Sequence, residues 1–503
     1  MSSSVVDVVL EWDKVMLSII IIVFTVLGCF YFMTKYIKNN NNDDKNKNNN
    51  VDDNYIYLDL LPKESGSLLH RFISVTTITF FDGVINHTKL HKKIRKIITL
   101  NPWLQGQLIK KKNSDRIYLK YLRPSNTSVV DDDDNDGSEE GVDDDHDDGD
   151  AVVDGENNNN DASNDGVFTI IKNKNLHPKM KLCDMHDIIR SYRVKKRYAC
   201  VNKKELLFKV TLIITELNSF ALIISLSHII GDGHTMYTIY KMLSDDQDVI
   251  ALNPKRDMEF DNKVKILTKT TLPGEWLTSL GCTINSIRSL LFESKNTLLF
   301  DINNQWIENE KSEYSKNTTT NNNNNNNIDN TVNSSSSLFI STNDIITSWV
   351  MRLTKCNIGL MTINYRNRLI NLTNEYAGNY QSMIIYQYDD YHSPSLIRAS
   401  LQNCCRVVTR NLPGFFASIN TKISFITNWS TFYTELKFKN CKEILHLPVA
   451  IDKKIDKSMI SYGVILFKSN PTQYSILSSW YNITAEYMML YHSDKIQNMQ
   501  SYE

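Results

Sequence analysis

Apolar residues fall into short runs between polar tracts, and the spacing inside each run assigns its element. Arg71 to Phe81 (RFISVTTITFF) is β-branched and aromatic and predicts a strand. Leu90 to Leu100 carries apolar positions at helical spacing, and Asn101-Pro102 stops that helix. Residues 105–110 and 116–122 read as a hairpin. Leu206 to Thr215 and Phe220 to Leu226 read as two strongly apolar strands around the turn Glu216-Leu217-Asn218-Ser219. Gly233 to Leu243 predicts a helix with Met236, Ile239, Tyr240 and Leu243 on one face. Ser341-Thr342-Asn343-Asp344 caps a helix running through Trp349 and Leu353. Strands are expected at 358–364 and 382–388, a helix at 394–407, and strands at 423–428, 433–438 and 458–468. The pattern predicts a mixed α/β (α+β) chain in two halves.

Three tracts cannot bury apolar area and are expected to be disordered: the tether 39–54, the acidic run 129–166 and the stretch 310–337 with its consecutive Asn and Ser residues. The expected organisation is a tail 1–14, a membrane helix 15–33, a tether 34–54, a first half 55–300 interrupted by insert 129–166, a linker 301–340, and a second half 341–503. Residues 15–33 (VMLSIIIIVFTVLGCFYFM) carry no charge and are long enough to span a bilayer. The bulky end of this run disfavours signal cleavage. Lys35, Lys38, Lys45 and Lys47 downstream outnumber Lys14 upstream. By the positive-inside rule the expectation is a single-pass protein of the endoplasmic reticulum with its large C-terminal part in the cytosol. Seven N-x-S/T sequons are what a chain this rich in Asn, Ser and Thr yields by chance.

Charge changes the picture once it is localised. The formal net charge of the 503-residue chain is −1, but residues 129–166 hold 17 acidic residues and no Lys or Arg. The remainder carries 40 acidic against 56 basic residues, a net of +16. That surplus suits an anionic ligand. No aromatic-basic motif accompanies it, so nucleic acid is not expected as a partner. Eight Cys residues without a CxxC argue against a zinc ribbon, a thioredoxin-type site and a disulfide framework. No G-x-S-x-G elbow is present, so a serine hydrolase is unsupported.

The chemistry-bearing string is Ser227-His228-Ile229-Ile230-Gly231-Asp232-Gly233, at the end of an apolar strand and the start of a helix. Such a turn holds an imidazole beside a cavity. Asp232 ties the turn down, and Gly233 permits a tight backbone or a close approach. A base of near-neutral pKa there takes the proton of a hydroxyl or amine as it attacks an acyl group. The spacing of His228, Asp232 and His234 does not place all three on one helical face, which disfavours a metal site. His234 is expected on the exposed start of the helix, and Cys404-Cys405 as packing residues.

With these residues in place, the chain resembles the BAHD acyltransferases, within the superfamily of chloramphenicol acetyltransferase and condensation domains, over roughly 55–130 and 167–490. His228, Asp232 and Gly233 stand at the HxxxDG of that family. Leu100-Asn101-Pro102-Trp103-Leu104 resembles its "NPxL" passage, and Ser341 to Asp344 with Trp349 its "STNDxxxAxxW" helix. Tyr365-Arg366-Asn367-Arg368-Leu369 resembles "DxRxRL", Ala377-Gly378-Asn379-Tyr380 the "GN" strand start, and Thr427-Asn428-Trp429 "TSW". The family's DFGWG is degenerate here: Lys437-Phe438-Lys439-Asn440-Cys441 keeps only the Phe. Its Asp is thought to pair with an Arg, which Lys437 cannot do.

The resemblance implies two αβ-sandwich halves with a tunnel between them and transfer of an acyl group from acyl-CoA, a co-substrate rather than a resident cofactor. The acceptor would be an alcohol or amine, lipophilic if the anchor bears on it. His228 would be the general base. Asp232 would be structural, with Arg366 or Arg368 as its partner, and Thr427 or Asn428 would hold the oxyanion. No covalent acyl-enzyme is implied, and a monomer is expected. The rival reading is a membrane-anchored protein that keeps the fold for binding or scaffolding: the lost DFGWG favours it, and the intact His228, Asp232 and Gly233 oppose it.

Overall fold

The computed structural model describes residues 53–65, 74–111, 116–124, 166–270, 272–292, 295–323, 339–409, 411–449 and 462–501. Its strands form three sheets. A small one has the order β1-β4-β3, with β1 at Tyr55–Asp59, β3 at Gln107–Lys110 and β4 at Ile117–Leu122. The first large sheet comprises β2 (Ser74–Asp82), β5 (Phe168–Lys172), β6 (Phe208–Glu216), β7 (Ser219–Ser227) and β12 (Lys442–Pro448), in the order β12-β2-β7-β6-β5. The second comprises β8 (Lys295–Ile302), β9 (Ile358–Asn364), β10 (Gln381–Tyr386), β11 (Ile423–Asn428), β13 (Tyr462–Lys468), β14 (Tyr474–Tyr481) and β15 (Ile496–Ser501). Its order is β10-β9-β11-β13-β14-β8-β15, with β11 parallel to both neighbours.

The unbroken apolar run of β7 follows from its position. It is central, paired with β2 and β6, and buried on both faces from Phe220 to Ser227, so no alternation survives. The helix His87–Leu100 buries Leu90, Ile94, Ile97 and Ile98 against this sheet's core and starts at the side-chain cap of Asn86. The helix Thr342–Leu353 begins in a capping box made by Ser341 and Asp344 and buries Trp349 in the second core.

Four expectations are corrected. The two halves do not divide at residue 300: β8 lies in the second sheet, and Phe260 and Val264 already pack in the second core. The reason is pairing, since β8 is flanked by β14 and β15. Conversely β12, from late in the chain, completes the edge of the first sheet beside β2. Residues 433–438 are not a strand; they belong to an irregular strap between β11 and β12. The tract 310–337 is helical as far as Asn323, within the helix Asn304–Asn323. Trp306 and Ile307 anchor its first turn in the second core and Tyr314 packs against the same cluster, and a nucleated helix propagates at little cost per residue. The remainder of that tract, most of the tether and residues 125–165 lie outside the described residues.

The membrane expectation is also corrected. Among the described residues no helix is long and apolar enough to cross a membrane; the longest, Asn304–Asn323, is polar along most of its length. The single-pass localisation therefore finds no span, and segment 15–33, on which it rested, lies outside the described residues.

Candidate active site

Asp232 joins the two halves. Its carboxylate caps the helix Gly233–Lys241, accepting from Thr235 N and Thr235 Oγ1, both at 3.0 Å. From the second half, Arg366 donates Nη1 to Oδ2 at 2.8 Å and Nη2 to Oδ1 at 3.2 Å, and Tyr380 N donates to Oδ2 at 3.0 Å. Burial by itself raises this carboxyl. The Arg366 charge and these hydrogen bonds outweigh it and hold the group at about 2. Arg366 spends its remaining donors on Tyr376 O, Gly378 O and Asn364 Oδ1. Arg368 does not reach Asp232; its Nη1 donates to Leu401 O at 3.1 Å.

Gly378, at φ +131°, is a position that only glycine fits: a Cβ there would meet the Arg256 guanidinium at 2.9 Å. Gly233 carries no such demand, because a Cβ would lie at ordinary contact, 3.5 Å from Trp429 Nε1. The close approach expected there belongs to Gly231, where a Cβ would meet Leu226 and Thr235 at 2.8 Å.

His228 sits on the turn leaving β7. Its Nδ1 lies 2.9 Å from Asn379 Oδ1. The Asn379 amide nitrogen donates back to His228 O at 2.8 Å and to Glu64 Oε1 at 2.9 Å, which fixes which end of the amide faces the ring. Nδ1 is therefore the protonated nitrogen, and the lone pair is on Nε2. Burial lowers the pKa of His228, with its own backbone, Asp232, Asn379 and Glu64 acting the other way, so the imidazole is neutral at pH 7. Glu64 and Asn379 were not singled out from sequence as site residues. The only trace is the Gly-Asn pair of Ala377-Gly378-Asn379-Tyr380; Glu64 gives no local signal.

A cavity of about 370 Å³ opens between the halves. Asp232, Gly233 and His234 contribute from the first half, Met361 to Asn364 of β9 and Thr427 and Asn428 of β11 from the second, and Trp429, Thr431 and Phe432 from the strap. His228 is not on this wall. His234, expected to be exposed, is on it instead. Burial, aided by the Arg366 charge, pushes the His234 pKa down to about 4, and its ring meets Phe432 edge-on at 5.7 Å. The Asn428 amide donates one N–H to Asn343 Oδ1 and accepts from Ser430, which leaves its second N–H.

The strap that carries Thr431 and Phe432 replaces the expected DFGWG. Lys437, which cannot pair with an Arg, pairs with Asp246 at 3.0 Å. Its N–H donates to Ser244 Oγ at 2.8 Å, and its carbonyl accepts from Asp245 N at 2.7 Å. Phe438 packs edge-on against Phe81 at 5.3 Å. The strap is thus held by a charged tie and an aromatic anchor.

Glu443, on β12, fastens the strap from inside, accepting from Tyr433 OH at 2.6 Å and Leu436 N at 3.0 Å. Burial pushes its carboxyl up to about 7. The folded state then holds a proton that the unfolded state releases near pH 4.5. This stabilisation is complete below that pH and is lost as pH rises through 7. We expect Glu443→Gln, whose oxygen can accept from Leu436 N while its NH2 donates to the Tyr433 hydroxyl oxygen, to abolish that loss. In urea titrations the variant should gain on the wild type between pH 5 and 8 by on the order of 2 kcal/mol. Neighbouring His446 is lowered by burial to about 3, so its share is lost as pH falls below about 6.5. It is common to both proteins and cancels.

No family profile matches the chain, and no curated protein matches it. Among solved structures it is similar to F. sporotrichioides TRI101 complexed with coenzyme A and T-2, at 10% identity and a TM-score of 0.50, over 89% of this chain and 100% of that one. It also matches the first condensation domain of the calcium-dependent antibiotic synthetase (10%, TM-score 0.46, 84% and 91%) and vinorine synthase (10%, TM-score 0.45, 87% and 92%). At such identity the likeness to TRI101 is one of fold, and the mixed α/β fold expected from the resemblance is the one found.

Proposed function

We propose that the protein transfers an acyl group from acyl-CoA to a hydroxyl or amine acceptor, with His228 as general base. One observation carries the reading: His228 Nδ1 lies 2.9 Å from Asn379 Oδ1 at the junction of the two halves, which favours a proton on Nδ1 and leaves the lone pair on Nε2. The fold is shared with a protein whose structure holds coenzyme A and T-2. The basic surplus outside the acidic run suits the phosphates of coenzyme A.

In this reading Nε2 takes the acceptor proton as its oxygen or nitrogen attacks the thioester carbonyl. The Thr427 hydroxyl or the second Asn428 amide N–H, both on the cavity wall, stabilises the oxyanion. Collapse breaks the C–S bond, and the leaving thiolate recovers the proton from His228. No acyl-enzyme forms. Asp232 with Arg366 holds the turn and takes no proton.

A second reading, a protein that binds in this fold without turning over, is favoured by the absence of His228 from the cavity wall. Thiol release from a panel of acyl-CoAs with alcohols and amines, run beside calorimetric titration with coenzyme A, separates the two. Binding with thiol release supports transfer. Binding without release, or a folded protein that binds no coenzyme A, supports the second reading and sinks the first.

A further inference from the structure

We infer that the buried carboxylate of Glu64 is a positioning residue for His228, acting through Asn379 to set which ring nitrogen carries the proton. The inference rests on the reading of His228 as general base.

Glu64 lies in the short helix Pro62–Ser65 and is fully buried. Its two oxygens meet four donors. Oε1 accepts from Asn379 N at 3.0 Å and Asn379 Nδ2 at 2.9 Å. Oε2 accepts from Leu61 N and Arg256 Nε, each at 2.9 Å. Arg256 is equally buried and ties the same corner together, donating to Pro254 O, Ala377 O and Ile230 O. A carboxylate of this kind accepts only. Asn379 must therefore turn its NH2 toward Glu64 and toward His228 O, and its carbonyl oxygen is left facing the ring. An amide turned over would set Oδ1 against Glu64 Oε1 and the His228 carbonyl, three acceptor oxygens without a proton between them. A carbonyl oxygen beside Nδ1 favours a proton there, together with the ring's hydrogen bond to its own backbone. Three segments far apart in sequence, around residues 64, 228 and 379, thus form one directional chain of hydrogen bonds ending at the imidazole. The charged groups around the ring are Glu64 and Asp232, the guanidinium groups of Arg256 and Arg366 that pair with them, and Lys63 beside Glu64.

The test is Glu64→Gln. Its NH2 must face donors on one side or the other. Facing Asn379, it removes the acceptor that holds the Asn379 NH2 and favours the turned-over amide, which presents N–H to Nδ1 and shifts the proton toward Nε2 against the His228 carbonyl and the ring's hydrogen bond to its own backbone. The expected result is a fall in kcat of about 100-fold, the size of a lost general base, with KM for the acyl donor nearly unchanged. The acid limb of the pH–rate profile should move to lower pH, because a negative charge near the ring is gone. Imidazole 15N spectra should show the His228 proton on Nδ1 in the wild type and on Nε2 in the variant. The double variant Glu64→Gln/Asn379→Asp restores an acceptor to Nδ1 and brings the charge next to the ring. It should return the Nδ1–H form and move the acid limb above that of the wild type. Where the single variant does not fold, the double variant and Glu64→Asp are read in the same way. An unchanged tautomer and an unmoved acid limb, with activity following only the folded fraction, would overturn the inference. A wild type that releases no thiol but shows the Nδ1–H form, lost in Glu64→Gln, would sink the transfer reading and leave the positioning role standing.

Discussion

Replacing Arg366 with methionine is expected to lower the free energy of unfolding by about 3–5 kcal/mol, the cost of removing one partner from a buried ion pair. The pair is fully enclosed: the Arg366 side chain is 0% exposed and that of Asp232 2%. Without the guanidinium, Asp232 keeps its bonds to Thr235 and Tyr380 but loses its counter-charge, and Gly378 O and Tyr376 O lose a donor. Urea midpoints measure the effect. Arg368→Met is the internal control. Its guanidinium holds Leu401 O, an exposed bond, and Cys404 Sγ, so a loss of about 1 kcal/mol is expected. Equal losses in the two variants would contradict the assignment of Arg366 as the partner of Asp232.

The largest effect on activity is expected from His228→Ala, a fall in kcat of about 100-fold or more. Stability should change by only about 1 kcal/mol, the cost of leaving Asn379 Oδ1 without its partner. His234→Ala separates the two histidines. His234 is on the cavity wall, but its pKa near 4 makes it a weak base, so that variant should keep turnover within a few-fold while KM changes. Loss of turnover in His234→Ala with retention in His228→Ala would exchange their roles. Steady-state thiol release, read beside a denaturation curve for each variant, decides it.

Local pattern disclosed the elements and hid the way they meet. The β6–β7 pair, the helix after it and the capping box at Ser341 were all legible, because each is written in residues within a few positions of one another. Arg366 and Arg368 could not be told apart from sequence; both follow a strand closely, and only the direction in which the chain leaves β9 separates them. Glu64 was silent for a different reason. A four-residue helix with one buried acid looks like any polar loop, and its partners, Arg256 and Asn379, belong to other segments. β12 was missed because Lys442 to Pro448 mixes charged and apolar residues and includes a bulge between Glu443 and Leu445. The ion pair of the strap was likewise hidden, since Asp246 lies in the first half. The boundary near 300 failed because helices and strands do not announce which sheet they serve.

The lending of β12 to the first sheet bears on the order in which the chain can mature during synthesis. Thr77 of β2 has Pro448 as its partner across the sheet edge. While the ribosome is making the first half, that edge has its N–H and C=O groups unpaired, beside a strand whose residues from Val75 to Phe81 are otherwise buried. An apolar strand edge left open in this way is a template for pairing with other nascent chains. Only after residue 448 has left the exit tunnel can the edge close, and only then can Glu443 and the strap draw the second half onto the first. The nascent protein therefore spends most of its synthesis with a sticky margin and no finished junction between the halves, a long window for chaperone engagement.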